Sequence, residues 1–578
     1  MQFGKADGGA RAQIRRRLGL AGHWIQTAWV RRAGMWPNPG GAGSRSAGRW
    51  SLEPDHGLLR VTVATSSSPS SCRRRRLKLR LSPPDLVGGV LDLVDAESKL
   101  SCMMSSMDES LLGNTVEKTG GAVLTELRKQ LYLAGPLIAA WLLQNLVSMI
   151  SVMFVGHLGE LALSSASIAT SFASVTGFSF LAGMASSLDT LCGQAFGAKQ
   201  YSLLGIYKQR AILVLTLVSV AVAVVWSYTG KILLFFGQDP EIADGAGSYI
   251  RWMIPALFAY GPLQCHVRFL QTQNIVLPVM VSSGATALNH LLICWLLVCK
   301  IGLGYKGAAL ANAISYLTNV SILAIYVRLS PACKNTWRGF AKEALHDIPS
   351  FLKLGVPSAL MVCLEWWSFE LLVLLSGNLP NPKLETSVMS ISLNLGSLAF
   401  MVPFGLSAAI STRVSNELGA GRPQDARLAT RVVMVVALFV GVLIGLVMVL
   451  ARNLWGYAYS NEEEVVGYIA KVMPILAVAF VFDDLQCVLS GVVRGCGWQK
   501  IGACVNLGAY YLIGIPAAFC FSFIFHLGGM GLWFGIICAL IVQMLSLLSI
   551  TLCSNWEKEA LKAKDRILSS SVPVDMMT

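Results

Sequence analysis

The sequence predicts an all-α integral membrane protein, with twelve transmembrane helices in two six-helix, pseudo-repeated bundles around a central cavity. Three observations carry this expectation. The 578 residues are 54% hydrophobic and only 13% charged, with a mean hydropathy of +0.59, whereas soluble domains carry about 25% charged residues. The apolar residues fall into runs of about the 20 residues that cross a bilayer. Motifs of the first half recur about 222 residues later. A soluble multidomain enzyme is excluded, because its domains would lack polar residues for their surfaces.

The chain opens on a basic leader. Residues 1–107 hold 17 Lys/Arg against 7 Asp/Glu, which accounts for +10 of the net +14. The leader is rich in Gly, Ser, Pro and Arg, with Arg15 to Arg17 and Arg73 to Arg76 as clusters. No apolar run follows its charged start, which excludes a secretory signal. An organelle transit peptide and a basic interaction tail both fit the composition. The favoured reading is a disordered or non-native extension, with Met107-Asp-Glu-Ser110 as a natural start. The excess charge therefore says nothing about nucleic acid, and no nucleic-acid partner is expected.

Residues 108–130 read as a cytoplasmic segment, 131–328 as an N-lobe of six spans, and 329–349 as a cytoplasmic linker. Residues 350–552 read as a C-lobe of six spans, and 553–578 as a cytoplasmic tail. The twelve spans lie near 131–154, 161–186, 206–229, 247–270, 276–299, 307–328, 350–376, 385–410, 430–451, 464–490, 500–523 and 528–552. Pro136, Pro255, Pro357, Pro403, Pro474 and Pro516 fall inside them, as membrane helices allow when neighbours satisfy the freed backbone.

Short loops rich in Lys and Arg mark the cytoplasmic side. The alternate loops hold Lys199, Lys208 and Arg210, then Arg328 to Lys342, then Arg413, Arg422, Arg427 and Arg431, then Arg494 and Lys500. The intervening loops are poorer in positive charge, as in Asn461-Glu-Glu-Glu464. Both termini are expected in the cytoplasm, as an even number of spans requires.

The repeat is visible in Gly193-Gln-Ala-Phe-Gly-Ala198 against Ser415-Asn-Glu-Leu-Gly-Ala420, and in Leu263-Gln-Cys265 against Leu485-Gln-Cys487. Six-helix halves keep their orientation, so the repeat is parallel, an arrangement found in transporters whose substrate pathway lies between two rocking bundles. No phosphate-binding loop of the G-x-x-x-x-G-K-[ST] type is present. The fourteen cysteines are scattered without a C-x-x-C pair, so neither a zinc site nor a disulfide framework is implied. No catalytic residue, metal or cofactor is expected, and secondary transport driven by an ion gradient remains.

An ionisable group inside a membrane is a functional candidate by default. Four carboxylates stand out: Glu365 and Glu370 in the seventh span, Asp483 and Asp484 in the tenth. At 100° per residue, Glu365 and Glu370 lie 140° apart and Asp483 and Asp484 100° apart, so one of each pair faces a given site. Trp366 and Trp367 follow Glu365 and would either wall a pocket for a flat or cationic ligand or pack against lipid or the core. Gln144, Asn145, Asn289 and Asn506 would line a cavity or join helices by hydrogen bonds. Asp189, near the end of the second span, reads as a cap or loop brace in preference to a proton site, and His266 and Arg268 as side chains snorkelling to the surface.

Leu188-Asp-Thr-Leu-Cys-Gly-Gln-Ala-Phe-Gly-Ala198, Glu365-Trp-Trp, Arg413-Val-Ser-Asn-Glu-Leu-Gly-Ala-Gly421 and Val493-Arg-Gly495 resemble the multidrug and toxic compound extrusion (MATE) transporters, most closely the plant detoxification branch. The resemblance covers about residues 115–556 and not the leader. It implies a twelve-helix antiporter of two lobes that exports xenobiotics, alkaloids, flavonoids or other organic cations in exchange for protons, or sodium in some branches. By motif it assigns Glu365 and Asp483 to coupling and substrate binding. Asn394 stands where animal relatives often carry a glutamate, which leaves the substrate's charge open.

On this reading, protonation of Glu365 or Asp483 from the acidic side releases substrate there, and deprotonation into the cytoplasm restores the inward-open state. The expected partners are a small organic substrate, protons and the lipid bilayer, with the protein working as a monomer in a vacuolar or plasma membrane. A lipid-linked precursor flippase and a membrane-embedded enzyme are the alternatives. The first wants a lateral groove lined by cations; the second wants clustered His/Asp motifs that seven scattered histidines do not supply.

Overall fold

A computed structural model of the chain describes residues 52–55, 58–62, 76–78, 86–459 and 462–570, with side chains from residue 121 onward. The chain divides into a unit of Met1–Asn114 and a unit of Thr115–Thr578. In the first, β1 (Leu52–Asp55), β2 (Leu58–Thr62) and β3 (Arg76–Lys78) form an antiparallel sheet in that order. Leu52 stands opposite Val61, and Arg60 opposite Lys78. The expectation drawn for the leader falls mostly outside the described residues.

The second unit is built of long helices. They are the part of α1 (Leu86–Gly156) from Thr115 onward, α2 (Glu160–Gly197), α3 (Tyr201–Ser227), α4 (Pro240–Thr272), α5 (Leu277–Lys300) and α6 (Tyr305–Leu329) in the N-lobe. The C-lobe holds α7 (Ile348–Ser376), α8 (Pro382–Gly419), α9 (Pro423–Leu450), α10 (Glu463–Cys496), α11 (Gln499–Ile524) and α12 (Gly528–Cys553). Each of the twelve expected spans coincides with one of them. An amphipathic α13 (Trp556–Ser570) follows.

Eleven of the twelve have the length and composition to cross a membrane. The exception is α4, for a packing reason. It lies against α2, α3 and α6 and is buried almost continuously from Ala256 to Thr272. A helix sheathed by protein need not be greasy all round, so α4 carries Gln264, His266, Arg268 and Gln271 in its buried half. The other helices turn large apolar side chains outward, among them Leu217, Val224, Leu288, Leu292, Val435, Phe439 and Leu512. In water so much exposed apolar surface would be a liability; against lipid tails it is the expected coat.

Several helices overrun the bilayer. At 38 residues each, α2 and α8 are about 57 Å long, nearly twice the roughly 30 Å hydrocarbon core. The motifs around Gly193 and Ser415, expected just beyond the second and eighth spans, are therefore the last turns of α2 and α8. Burial follows the same division. Residues 183–190 of α2, 263–272 of α4, 405–418 of α8 and 486–496 of α10 are buried without a break, whereas the opening turns of α2 and α8 are largely exposed. The lobes are fused where these four helices end and part company where α2 and α8 begin.

Four residues read as loop charges lie inside helices at the fused end and are buried: Lys208, Arg210, Arg413 and Arg494. The Lys208 ammonium sits 3.9 Å from the Trp337 ring centroid and 4.6 Å from that of Phe269. Gln209 accepts from the Ala341 amide and donates to the Gly339 carbonyl, each at 2.9 Å. Together they stitch the segment read as an inter-lobe linker onto the N-lobe.

Candidate functional site

Within the C-lobe, α7 presents Glu365 and α10 presents Asp483, both half-buried. Gln486, three residues beyond Asp483, joins them. Its Nε2 donates to Glu365 Oε1 at 3.1 Å and to Asp483 Oδ1 at 2.8 Å, while its Oε1 accepts from Ser490 Oγ at 3.3 Å. Gln543 of α12 donates to Asn506 Oδ1 at 2.9 Å, and Asn506 of α11 donates to the Met361 carbonyl at 2.7 Å. Asn506 therefore joins helices, and it holds α11 and α12 against the turn of α7 that carries Glu365.

The neighbours of the two carboxylates point elsewhere. Asp484 is 2% exposed and turns to α9, where Gly441 leaves room for its Oδ2. Glu370 is half-buried and separated from Glu365 by the helical turn; Gln486 does not reach it. Trp367 donates from its ring nitrogen to the Val175 carbonyl of α2 at 2.9 Å, at a π-helical turn (Ser174–Phe178). It thus bridges the lobes, and with Val175, Thr176, Phe180, Ala221, Val222 and Val225 it lines an apolar recess of about 450 Å³. Trp366 beside it is half-buried. Asn394 is exposed on α8 and donates to the Ser390 carbonyl of its own helix at 2.9 Å. Gln144 of α1 donates to Ser283 of α5 at 3.4 Å, and Asn145 next to it is half-buried.

The fused end is a second polar centre. Asp189 of α2 is 0% exposed. Its Oδ2 lies 3.3 Å from Arg268 of α4 and 3.6 Å from Arg494 of α10, and accepts from Ser411 of α8 at 3.3 Å. Asp189 and Ser411 are the same position in the two halves, 222 residues apart, so the repeat meets itself here. Gln194 donates to the Gly495 carbonyl at 3.2 Å and Asn416, its repeat counterpart, to the Thr272 carbonyl at 3.1 Å. Gly193 and Gly197 of α2 pack on Ser415 and Asn416 of α8, and Gly419 packs on Gln194. Small residues four apart let two helix backbones touch.

Arg268 and His266 are therefore buried, at 3% and 7% exposure, where snorkelling was expected. The expectation failed because α4 runs on as a protein-sheathed helix and its end never reaches the surface. Asp189 braces two lobes, where a cap or loop brace was expected. Gln486 carried no signal in the sequence beyond its place in the repeated Leu-Gln-Cys motif. Arg494 stood as a topological charge and as the centre of the Val493-Arg-Gly495 motif, with no partner assigned to it.

Two pseudo-symmetric six-helix lobes fused at one end, with carboxylates inside one lobe, have the architecture of a secondary transporter. The profile of the MatE family matches residues 136–296 and 357–520. Among relatives, the chain is 62% identical over 450 residues to Protein DETOXIFICATION 16 of Arabidopsis thaliana, covering 78% of this chain and 93% of that one. It is 59% identical over 456 residues to Protein DETOXIFICATION 15 of the same plant, covering 79% and 94%. It superposes on the crystal structure of the eukaryotic MATE transporter AtDTX14 with a TM-score of 0.75 at 48% identity, covering 77% of this chain and all of that one. The chain belongs to the MATE family, whose members are membrane transporters and not enzymes.

Proposed function

We propose that the protein is an efflux antiporter, which carries small organic compounds out of the cytoplasm in exchange for protons by alternating access. The observation that supports this most strongly is the shared donor of Glu365 and Asp483. One amide serves two carboxylates from two helices, so a proton arriving on either one removes an acceptor and brings a new donor. Gln486 must then re-pair, and α7 and α10 must adjust to each other. Proton binding becomes movement within a lobe.

The basic loops gather at the fused end, which by the positive-inside rule is the cytoplasmic end, with both termini on that side. The described state is then closed to the cytoplasm and open opposite. The names of the Arabidopsis relatives agree with a detoxifying role. Xenobiotics, alkaloids, flavonoids and other organic cations are the compounds to try, in vacuolar or plasma membrane vesicles, with one chain as the working unit.

Uptake of such a panel into vesicles under an imposed pH gradient tests the reading. Wild-type uptake collapses when the gradient is dissipated. The Glu365→Gln, Asp483→Asn double variant loses the gradient-driven component of uptake. Undiminished gradient-driven uptake in the double variant would overturn the assignment.

A further inference from the structure

We propose that Arg494 transmits the charge of Glu365 to the fused end, so that Asp189, Arg268 and Arg494 form a gate that loosens when Glu365 takes up a proton. The proposal rests on Glu365 as a proton-binding group, and Arg494 acts in it as a positioning residue.

The first support is a polar stripe. Gln486, Ser490 and Arg494 recur every four residues on α10, which places them one above another on the same face. The stripe begins at Gln486, bonded to Glu365 and Asp483, continues through Ser490, and ends at Arg494 beside Asp189. Arg494 also donates to Ser407 at 2.7 Å. It interacts electrostatically with both Asp189 and Glu365.

The second support is a charge imbalance. Two guanidinium groups and one carboxylate meet at the fused end, at 3%, 6% and 0% exposure. The groups that face Asp189 are Arg268 of α4, Arg494 of α10 and Ser411 of α8, with Cys192 on its own helix. Those that face Glu365 are Asp483, Cys487 and Arg494 of α10, Tyr510 of α11 and the neutral Gln543 of α12. An ionised Glu365 supplies the balancing negative charge, and a protonated one leaves an excess positive charge buried.

The third support is incomplete bonding. Asp189 Oδ1, Arg268 Nε and Arg494 Nε are buried and make no hydrogen bond among the described residues. A buried ion group repays its desolvation only when geometry is good and the remaining donors and acceptors are satisfied. Here Arg494 Nε approaches Asp189 Oδ2 only to 3.6 Å, so a change in nearby charge weighs directly on the group. Protonation from the open side then favours parting at the cytoplasmic end, the direction an exchanger needs.

Hydrogen–deuterium exchange of the purified full chain in lipid nanodiscs, without substrate, tests the gate. The segments to follow are 183–197 and 486–497, at mildly alkaline and mildly acidic pH, corrected for intrinsic exchange. Wild type is protected at alkaline pH and exchanges faster at acidic pH. Glu365→Gln raises exchange in both segments at alkaline pH by at least about fivefold, the low end of site-to-site couplings, and removes the pH dependence. Arg494→Lys, which keeps the charge, retains it. Asp189→Asn, close in size to the original, loosens both segments at either pH.

Protection equal to wild type in Glu365→Gln or in Asp189→Asn would overturn the gate, as would a pH dependence that survives in Glu365→Gln. The gate and the antiport reading fail separately. Wild-type transport indifferent to a pH gradient, with Glu365→Gln still loosening the end, removes proton drive and leaves the gate. Coupled transport lost in Glu365→Gln with an unchanged fused end removes the gate alone.

Discussion

Valine in place of Gly419 is expected to hold the lobes apart at their fused end and to cut transport by about 5- to 150-fold, the population shift that about 1–3 kcal/mol of overpacking produces. A Cβ at Gly419 would stand 2.7 Å from the Cα and carbonyl carbon of Gln194 in α2. These are backbone atoms, and no rotamer change relieves the clash. The repeat supplies an independent check. Gly197 is in the same position with respect to α8, where a Cβ would fall 2.8 Å from the carbonyl carbon of Asn416, and its valine variant should fail in the same way. Gly467→Val in α10 is the control, since nothing lies within 4 Å of a Cβ there. Vesicle transport and the spacing of spin labels on the two lobes would read the effect. Normal transport in both Gly197 and Gly419 variants would mean that the contact is not part of the working cycle.

Loss of the Arg413 side chain is expected to cost the fused state about 3–5 kcal/mol, the penalty for unpairing a buried ion group. Arg413 forks onto Glu126 of α1 at 2.9 and 2.8 Å and reaches Glu417 at 2.7 Å. Glu417 in turn pairs with Arg422 at 2.7 Å. Both carboxylates are nearly buried, at 5% and 3% exposure, so Arg413→Ala leaves two negative charges without their shared partner. The fraction of purified protein that stays monodisperse after a heat pulse should fall sharply. Adding Glu126→Gln and Glu417→Gln to the same variant should restore much of it, because the penalty lies in the stranded charge. Unchanged heat resistance of Arg413→Ala would show that water already satisfies these groups.

Both predictions concern a surface that was only partly legible in the sequence. Hydrophobic runs located twelve helices, because lipid contact imposes a length and a composition on each one. The same logic understated α2 and α8, since their last turns are covered by each other and carry Gly, Ser and Gln where a lipid-facing helix would carry Leu. The 222-residue repeat announced two similar halves; that Ser411 would bond to Asp189, its own counterpart, follows from folding those halves face to face. Arg268 and Arg494 looked like surface charges because charge density alone does not tell an exposed helix end from one buried in protein.

The carboxylates divide in a similar way. Glu365 and Asp483 were marked by the cost of placing charge in a membrane, but they lie 118 residues apart. Nothing short of the packing of α7 on α10 reveals that Gln486 serves both. The angular argument required Asp483 and Asp484 to face different ways. The choice between them depends on Gly441, a neighbour on α9 that leaves space for Asp484.

The account's central claim is that this pair of carboxylates exchanges protons for substrate. Purified protein in liposomes loaded with a pH-sensitive dye, given an outward gradient of a transported compound at equal internal and external pH, measures it directly. The account predicts that the compound's exit drives protons inward and acidifies the lumen in wild type, and that Glu365→Gln, Asp483→Asn leaves the lumen unchanged. Substrate exit without acidification in wild type, or acidification undiminished in the double variant, would contradict it.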